Sequence, residues 1–167
     1  MKIPKHWLHI GTNELTIQQF KKPHNHPFLS KPRGGIWASP FWLDDSYHSD
    51  WHEYMFGIWG KSRRLKGVVF SFKENTRFYV INSQQDLIEL IDKVGKTQSP
   101  LPVTFNVGIN FENAMNAYDV IYLTEQGQNE TRMPFQNTEY NLYGWDVESC
   151  VVLNPHVIEE QMPLTIV

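Results

Sequence analysis

A chain of 167 residues suffices for one domain that buries roughly two-thirds of the surface its unfolded form exposes. A hydrophobic fraction of 41% and a charged fraction of 20% exclude a disordered or fibrous chain, and no stretch reaches the roughly 20 apolar residues of a spanning helix. The formal charge of -3 argues against a broad grip on a nucleic-acid backbone, and the single cysteine, Cys150, excludes an intrachain disulfide.

In chain order, residues 1–7 show no apolar core followed by a cleavage site, so the cytoplasm is the expected compartment. Trp7-Leu8-His9-Ile10 reads as a short strand stopped at Gly11, and Thr12 is placed to cap a helical turn through Phe20. Residues 21–35 read as loop, broken by Pro23, Pro27, Pro32 and the pair Gly34-Gly35. Ile36-Trp37-Ala38-Ser39 is a second short strand ended by Pro40, and Asp45 or Ser46 could open a helix to about Phe56. Lys61, Arg63, Arg64 and Lys66 read as a solvated approach to a strand.

Residues 67–72 and 76–81 flank the polar turn Lys73-Glu74-Asn75 and predict a hairpin. Ser83 with Asp86 three residues on is a capping-box variant, opening a helix whose Leu87, Ile88, Leu90, Ile91 and Val94 make an apolar stripe ended by Gly95. Asn110 caps a short helix through Ala117, and Val120-Ile121-Tyr122-Leu123 is an apolar run expected to be buried on both faces. Residues 125–144 read as one long polar loop, and residues 147–153 as a strand closed by Asn154-Pro155. Hairpin-like neighbours and few βαβ units predict an α+β domain spanning 1–167.

The last strand carries the main chemical signal. By period two, Glu148 shares a face with Cys150 and Val152. A carboxylate on an apolar face is costly unless it is paired or sits at a pocket mouth. His9, entering the turn at Gly11 and Thr12, can present its ring beside bare backbone groups. Gly34-Gly35 permit close backbone approach, and Trp37 and Ser39, two apart, offer an aromatic face and a hydroxyl to a flat ring. Buried in Cys150-Val151-Val152-Leu153, the thiol reads as inert.

Leu8-His9-Ile10-Gly11-Thr12, Gly35-Ile36-Trp37-Ala38-Ser39 and the late Glu148 followed by Ser149-Cys150-Val151-Val152-Leu153-Asn154-Pro155 together resemble the ADP-ribosyltransferase superfamily, in its branch with a His-aromatic-Glu triad. The chain is also similar to uncharacterised bacterial and phage proteins through Lys31-Pro32-x-Gly34-Gly35-x-Trp37-x-Ser39, Tyr118-Asp119-x-Ile121 and Tyr143-Gly144-Trp145-Asp146-x-Glu148-Ser149. The first resemblance implies split antiparallel sheets with a few flanking helices around one cleft. It also implies NAD as substrate, with ADP-ribose passed to a protein, a nucleic acid or water, and no metal.

Under that resemblance Glu148 stabilises the ribosyl cation and His9 bonds the adenosine-side ribose. The Gly11 region offers backbone to the nicotinamide amide, Trp37 takes the place of the usual stacking Tyr, Thr12, Gly35 and Ser39 are the further cofactor-binding candidates, and Asp146 helps select the acceptor. The family's Gly stands directly after its His, whereas here Ile10 intervenes. Tyr47, Trp51 and Tyr54 all remain candidates for a second stacking ring. Three other readings compete. A non-catalytic binding module of the same fold would use residues 125–144 as an interface. A metal site could be built from His48 and His52, at i and i+4, with His24 and His26. Transfer chemistry on an RNA 2′-phosphate would draw on Arg33.

Overall fold

The computed structural model describes residues 2–27, 29–43, 49–59, 65–97, 108–132 and 140–166. Nine strands and four α-helices are described: β1 (Trp7–Ile10), β2 (Ile36–Pro40), α1 (Asp50–Trp59), β3 (Leu65–Phe72), β4 (Phe78–Ile81), α2 (Gln84–Val94), β5 (Lys96–Thr97), β6 (Gly108–Ile109), α3 (Phe111–Ala117), β7 (Val120–Leu123), α4 (Glu125–Thr131), β8 (Ser149–Val152) and β9 (Ile158–Ile166). Seven strands form one mixed sheet in the order β4-β7-β8-β2-β1-β3-β9, and β5 pairs with β6 in a separate two-stranded sheet. This is an α+β arrangement. The expected antiparallel pairing holds at every seam of the large sheet except β4–β7, which is parallel.

The sheet does not lie flat. Phe72 of β3 and Phe78 of β4 stand five strand spacings apart in the sheet order, which at about 4.8 Å each would separate them by about 24 Å. Their ring centroids are 5.2 Å apart, and Trp7 of β1 meets Tyr122 of β7 at 5.0 Å, both edge to face. The sheet therefore folds back on itself at the seam between β1 and β2, where only Trp7↔Pro40 and Leu8↔Ser39 are paired. Trp7, Phe70, Ala38, Tyr122, Cys150 and Val152 form the core inside this fold. Outside it, α1 covers Leu8 and Val69, while α2 and α3 cover Ile121, Leu123 and Val151. Complete burial of Leu87, Leu90 and Ile91 on α2 contributes about 1.5–3 kcal/mol each to that outer layer.

Local chemistry explains most of the elements. Ser83 Oγ accepts from the Asp86 amide, and Asp86 Oδ2 accepts from the Asn82 amide, so the capping box reaches back one residue beyond the cap. Asn110 caps α3 by accepting from the Asn113 amide. All four residues of β7 are buried, as the apolar run predicts. Asp119 is a clasp: its carboxylate accepts from the Arg77 backbone amide at 3.0 Å, Arg77 Nη2 at 2.8 Å and Asn154 Nδ2 at 3.1 Å. Those bonds tie the starts of β4 and β7 to the end of β8, and the Arg77 guanidinium holds the Asp119 carboxyl down at about 2.

Four expectations are corrected. Residues 12–20 form only a 3-10 turn at Ile17–Gln19, because the Leu15 amide and carbonyl are both taken by the side chain of Gln161 on β9. The turn after Phe72 exists, but no hairpin follows it. Both edges of β3 are occupied, by β1 and β9, so the chain crosses the fold and β4 joins β7 instead. Residues 125–131 are not loop but α4, which Thr124 caps by accepting from the Gly127 amide. The last strand begins at Ser149, since β7 ends opposite it at Leu123 and the chain turns into that cap, leaving Glu148 just ahead of the strand. The proposed start of the second helix at Asp45 or Ser46 lies outside the described residues, as do Tyr47, His48 and the basic residues 61–64. No described helix is long and apolar enough to cross a membrane.

Candidate functional site

His9 sits on β1 just where the two halves of the sheet part. Its Nδ1 lies 2.7 Å from the carbonyl oxygen of Trp37. A carbonyl only accepts, so Nδ1 carries the proton and Nε2 keeps a free lone pair. Burial lowers the His9 pKa and outweighs the bond to Trp37, which raises it, so the neutral ring is favoured. With Thr12, Leu15, Phe20, Gly34 and Gly35, His9 lines a cavity of about 400 Å³. Gly35, at φ +70, brings the backbone so close to β8 that a Cβ there would stand 2.7 Å from Val151 Cγ2. Gly11 opens the turn one residue beyond Ile10, and a Cβ built on it would stand 3.7 Å from His9 Nε2.

Trp37 gives its ring to the other side of the sheet. Its indole meets Trp145 edge to face at 4.6 Å, and Lys31 Nζ stands 4.4 Å from its ring centroid. The same ammonium lies 5.7 Å from the Trp51 ring on α1. Ser39 does not face this opening as a free hydroxyl. It is fully buried, 2.6 Å from Ser49 Oγ, and accepts from the Trp51 amide at 3.2 Å, so it fixes the first turn of α1. Tyr54 lies beside Asp146, and its phenol pKa is raised by burial and then by that carboxylate. Asp146 also stands 3.9 Å from Arg132 Nη2.

Glu148 takes a third position, just ahead of β8. Its carboxylate accepts a hydrogen bond from the Tyr122 hydroxyl. Burial raises its pKa, and Asp50 and Glu125 raise it further by repulsion, while the Tyr122 bond and the Glu125 backbone amide lower it. Tyr122 is pushed far up in turn, by burial and then by Glu148. Glu148 is thus a half-buried carboxylate whose position is set by hydrogen bonds and whose charge is opposed by its surroundings. Among the described residues, no hydrogen bond or ion pair joins it to His9.

The structure therefore gathers His9, Gly11, Thr12 and Gly35 at one side of the seam, and Trp37, Ser39 and Asp146 at the other. Trp51 and Tyr54 join the second group, while Tyr47 is outside the described residues. The residues that sequence reasoning missed are Tyr122 and Lys31. Tyr122 carried a usable signal, because a Tyr inside a buried run must find a partner for its hydroxyl. Lys31 lay in a quoted motif, but nothing in the spacing showed that it would cross two Trp rings. Among the described residues no three His, Cys, Asp or Glu gather where they could hold a metal ion. His26 Nε2 instead lies 3.4 Å from Arg33 Nη2. Cys150 is fully buried, and burial drives its thiol pKa well up. Comparison of the chain with protein-family models, with curated proteins and with solved structures returns no match.

Proposed function

We propose that this chain is an NAD-dependent ADP-ribosyltransferase-type enzyme that cleaves the nicotinamide–ribose bond at Glu148. The observation that carries the reading is the carboxylate of Glu148, fixed by Tyr122 just ahead of β8, in a sheet whose two halves part at His9. The folded-back sheet with helices on its outer faces also suits the split-sheet arrangement that the sequence motifs imply.

The chemistry needs little else. The C1′–N bond breaks heterolytically, its electron pair neutralises the pyridinium nitrogen, and nicotinamide leaves without needing a proton. Positive charge appears on the ribose only as the bond breaks, so a fixed carboxylate stabilises the transition state more than the bound substrate. The acceptor then attacks C1′ and loses a proton. His9, with Nδ1 held by Trp37, offers Nε2 as an acceptor for a ribose hydroxyl. Asp146, two residues before Glu148 and beside Tyr54, would meet the acceptor.

A second reading, a non-catalytic binding module on the same fold, is favoured by one observation: Lys31 already stands over the Trp37 face that nicotinamide would use. The deciding experiment incubates the protein with NAD⁺ and cell extract and measures nicotinamide release. Release above the extract alone supports the transferase, whereas NAD⁺ binding without release under any acceptor supply leaves the binding module.

A further inference from the structure

Lys31 is in an unusual situation for a lysine. It is half-buried, and its ammonium stands over the rings of both Trp37 and Trp51. Among the described residues it has no hydrogen-bond acceptor for its three N–H donors; Asp146 acts on it only through space. Burial lowers its pKa despite Asp146. The Trp51 ring beneath it has its own buried Nε1–H without a partner among the described residues, and so does the Oγ of Ser30, which precedes Lys31 and is 1% exposed. Two buried polar atoms, one on a residue under the ammonium and one on the residue before Lys31, are thus left wanting partners, and the ammonium itself lies 4.4 Å from one indole centroid and 5.7 Å from the other.

We propose that Lys31 is a displaceable plug over a flat-ring slot formed by Trp37 and Trp51, drawn aside by the phosphate of a nucleotide whose ring takes its place. Contact of an ammonium with ring faces is weaker than a charge-assisted hydrogen bond from that ammonium to phosphate. The exchange is therefore favourable for a ligand that brings its own anion. An uncharged ring arriving alone must lift the ammonium off two indoles and leave it unpaired. The slot selects phosphorylated rings over bare ones through Lys31, a specificity that neither indole supplies. This rests on the transferase reading only in taking the ligand to be a nucleotide.

The test compares AMP, adenosine and NAD⁺ by intrinsic tryptophan fluorescence and calorimetry, on wild type and on Lys31→Ala and Lys31→Met. The two substitutions separate loss of the plug from loss of charge with the stem kept. Wild type should bind AMP at least tenfold more tightly than adenosine. Lys31→Ala should reverse the order of effects, weakening AMP and NAD⁺ about tenfold while strengthening adenosine, because the slot then stands open. Lys31→Met should weaken AMP and NAD⁺ without strengthening adenosine. A folded Lys31→Ala that shifts AMP and adenosine in the same direction, or neither, overturns the proposal, as does wild type that binds neither AMP nor NAD⁺. The crossover without nicotinamide release sinks the transferase reading and keeps the plug. Release with no crossover does the opposite.

Discussion

Glu148→Gln separates catalytic from structural importance by the sign of two effects. The amide keeps an oxygen to accept from the Tyr122 hydroxyl and from the Glu125 amide, so the geometry around it is retained. What it removes is a charge that burial, Asp50 and Glu125 all oppose. Because the folded-state pKa of Glu148 lies above its unfolded value of about 4.3, the native state holds its proton more tightly. That difference lends stability below the unfolded pKa which is lost as pH rises through the folded one. At neutral pH the variant should therefore be more stable than wild type, with the difference vanishing below the unfolded pKa. Catalysis should move the other way. Loss of one preorganised electrostatic partner of the transition state costs about 2.7–4 kcal/mol, so nicotinamide release should fall roughly 10²- to 10³-fold with NAD⁺ affinity nearly unchanged. The assays are differential scanning calorimetry across pH and nicotinamide release with cell extract. A variant that is less stable at pH 7 yet normally active would refute both halves of the argument.

The remaining predictions concern the scaffold and the seam. Asp119→Ala strands the Arg77 backbone amide and guanidinium, and should cost about 2–3 kcal/mol in urea unfolding, a figure held down because the Arg77 side chain is 51% exposed. In wild type the stability Asp119 lends is present above the unfolded pKa of about 3.9 and disappears as pH falls through about 2, so the Asp119→Ala deficit should shrink over that window. Gly127→Ala places a Cβ 2.1 Å from the carbonyl oxygen of Ile81, and thermal melts should show a loss of about 1–3 kcal/mol as α4 is pushed off β4. His9→Ala should weaken NAD⁺ about tenfold in calorimetry, roughly 1.4 kcal/mol for one lost hydrogen bond to ribose; unchanged affinity would place the nucleotide elsewhere.

Local chemistry was legible in the sequence, and long-range pairing was not. Ser83, Asn110 and the stripe on α2 act within a few residues of themselves, so caps and periodicity suffice to find them. The turn at residues 73–75 was equally visible, but which strand β4 would join depends on β3 being occupied along both edges by β1 and β9. No spacing rule contains that competition. The failed helix at residues 12–20 has the same origin, because Gln161, 146 positions from Leu15, takes the backbone bonds that a helix would need. At the site, His9 and Glu148 could be singled out because each is a titratable group in an apolar strand context. Their surroundings could not. The Tyr122 bond follows from the register that pairs Tyr122 with Cys150, and the Lys31 contact depends on a loop path that no periodicity describes.

Trp37 connects the two sides of the seam. Its carbonyl orients His9 on one side, while its indole supports Lys31 on the other. It can do both because a strand residue's side chain leaves perpendicular to the sheet while its carbonyl lies in the sheet plane. Where β1 and β2 part after two paired positions, the Trp37 carbonyl has lost its place in the β1 ladder, and the imidazole fills it. The same parting that frees the carbonyl also opens the cavity at Gly35. The sheet's fold-back, the His9 tautomer and that cavity thus share one cause, and a core substitution that closed the seam by restoring the β1–β2 ladder would remove all three together. The aromatic wall leans on the same strand, because Ser39 of β2 accepts from the Trp51 amide and so holds the first turn of α1, while Gln128 of α4 donates to the Asp146 carbonyl.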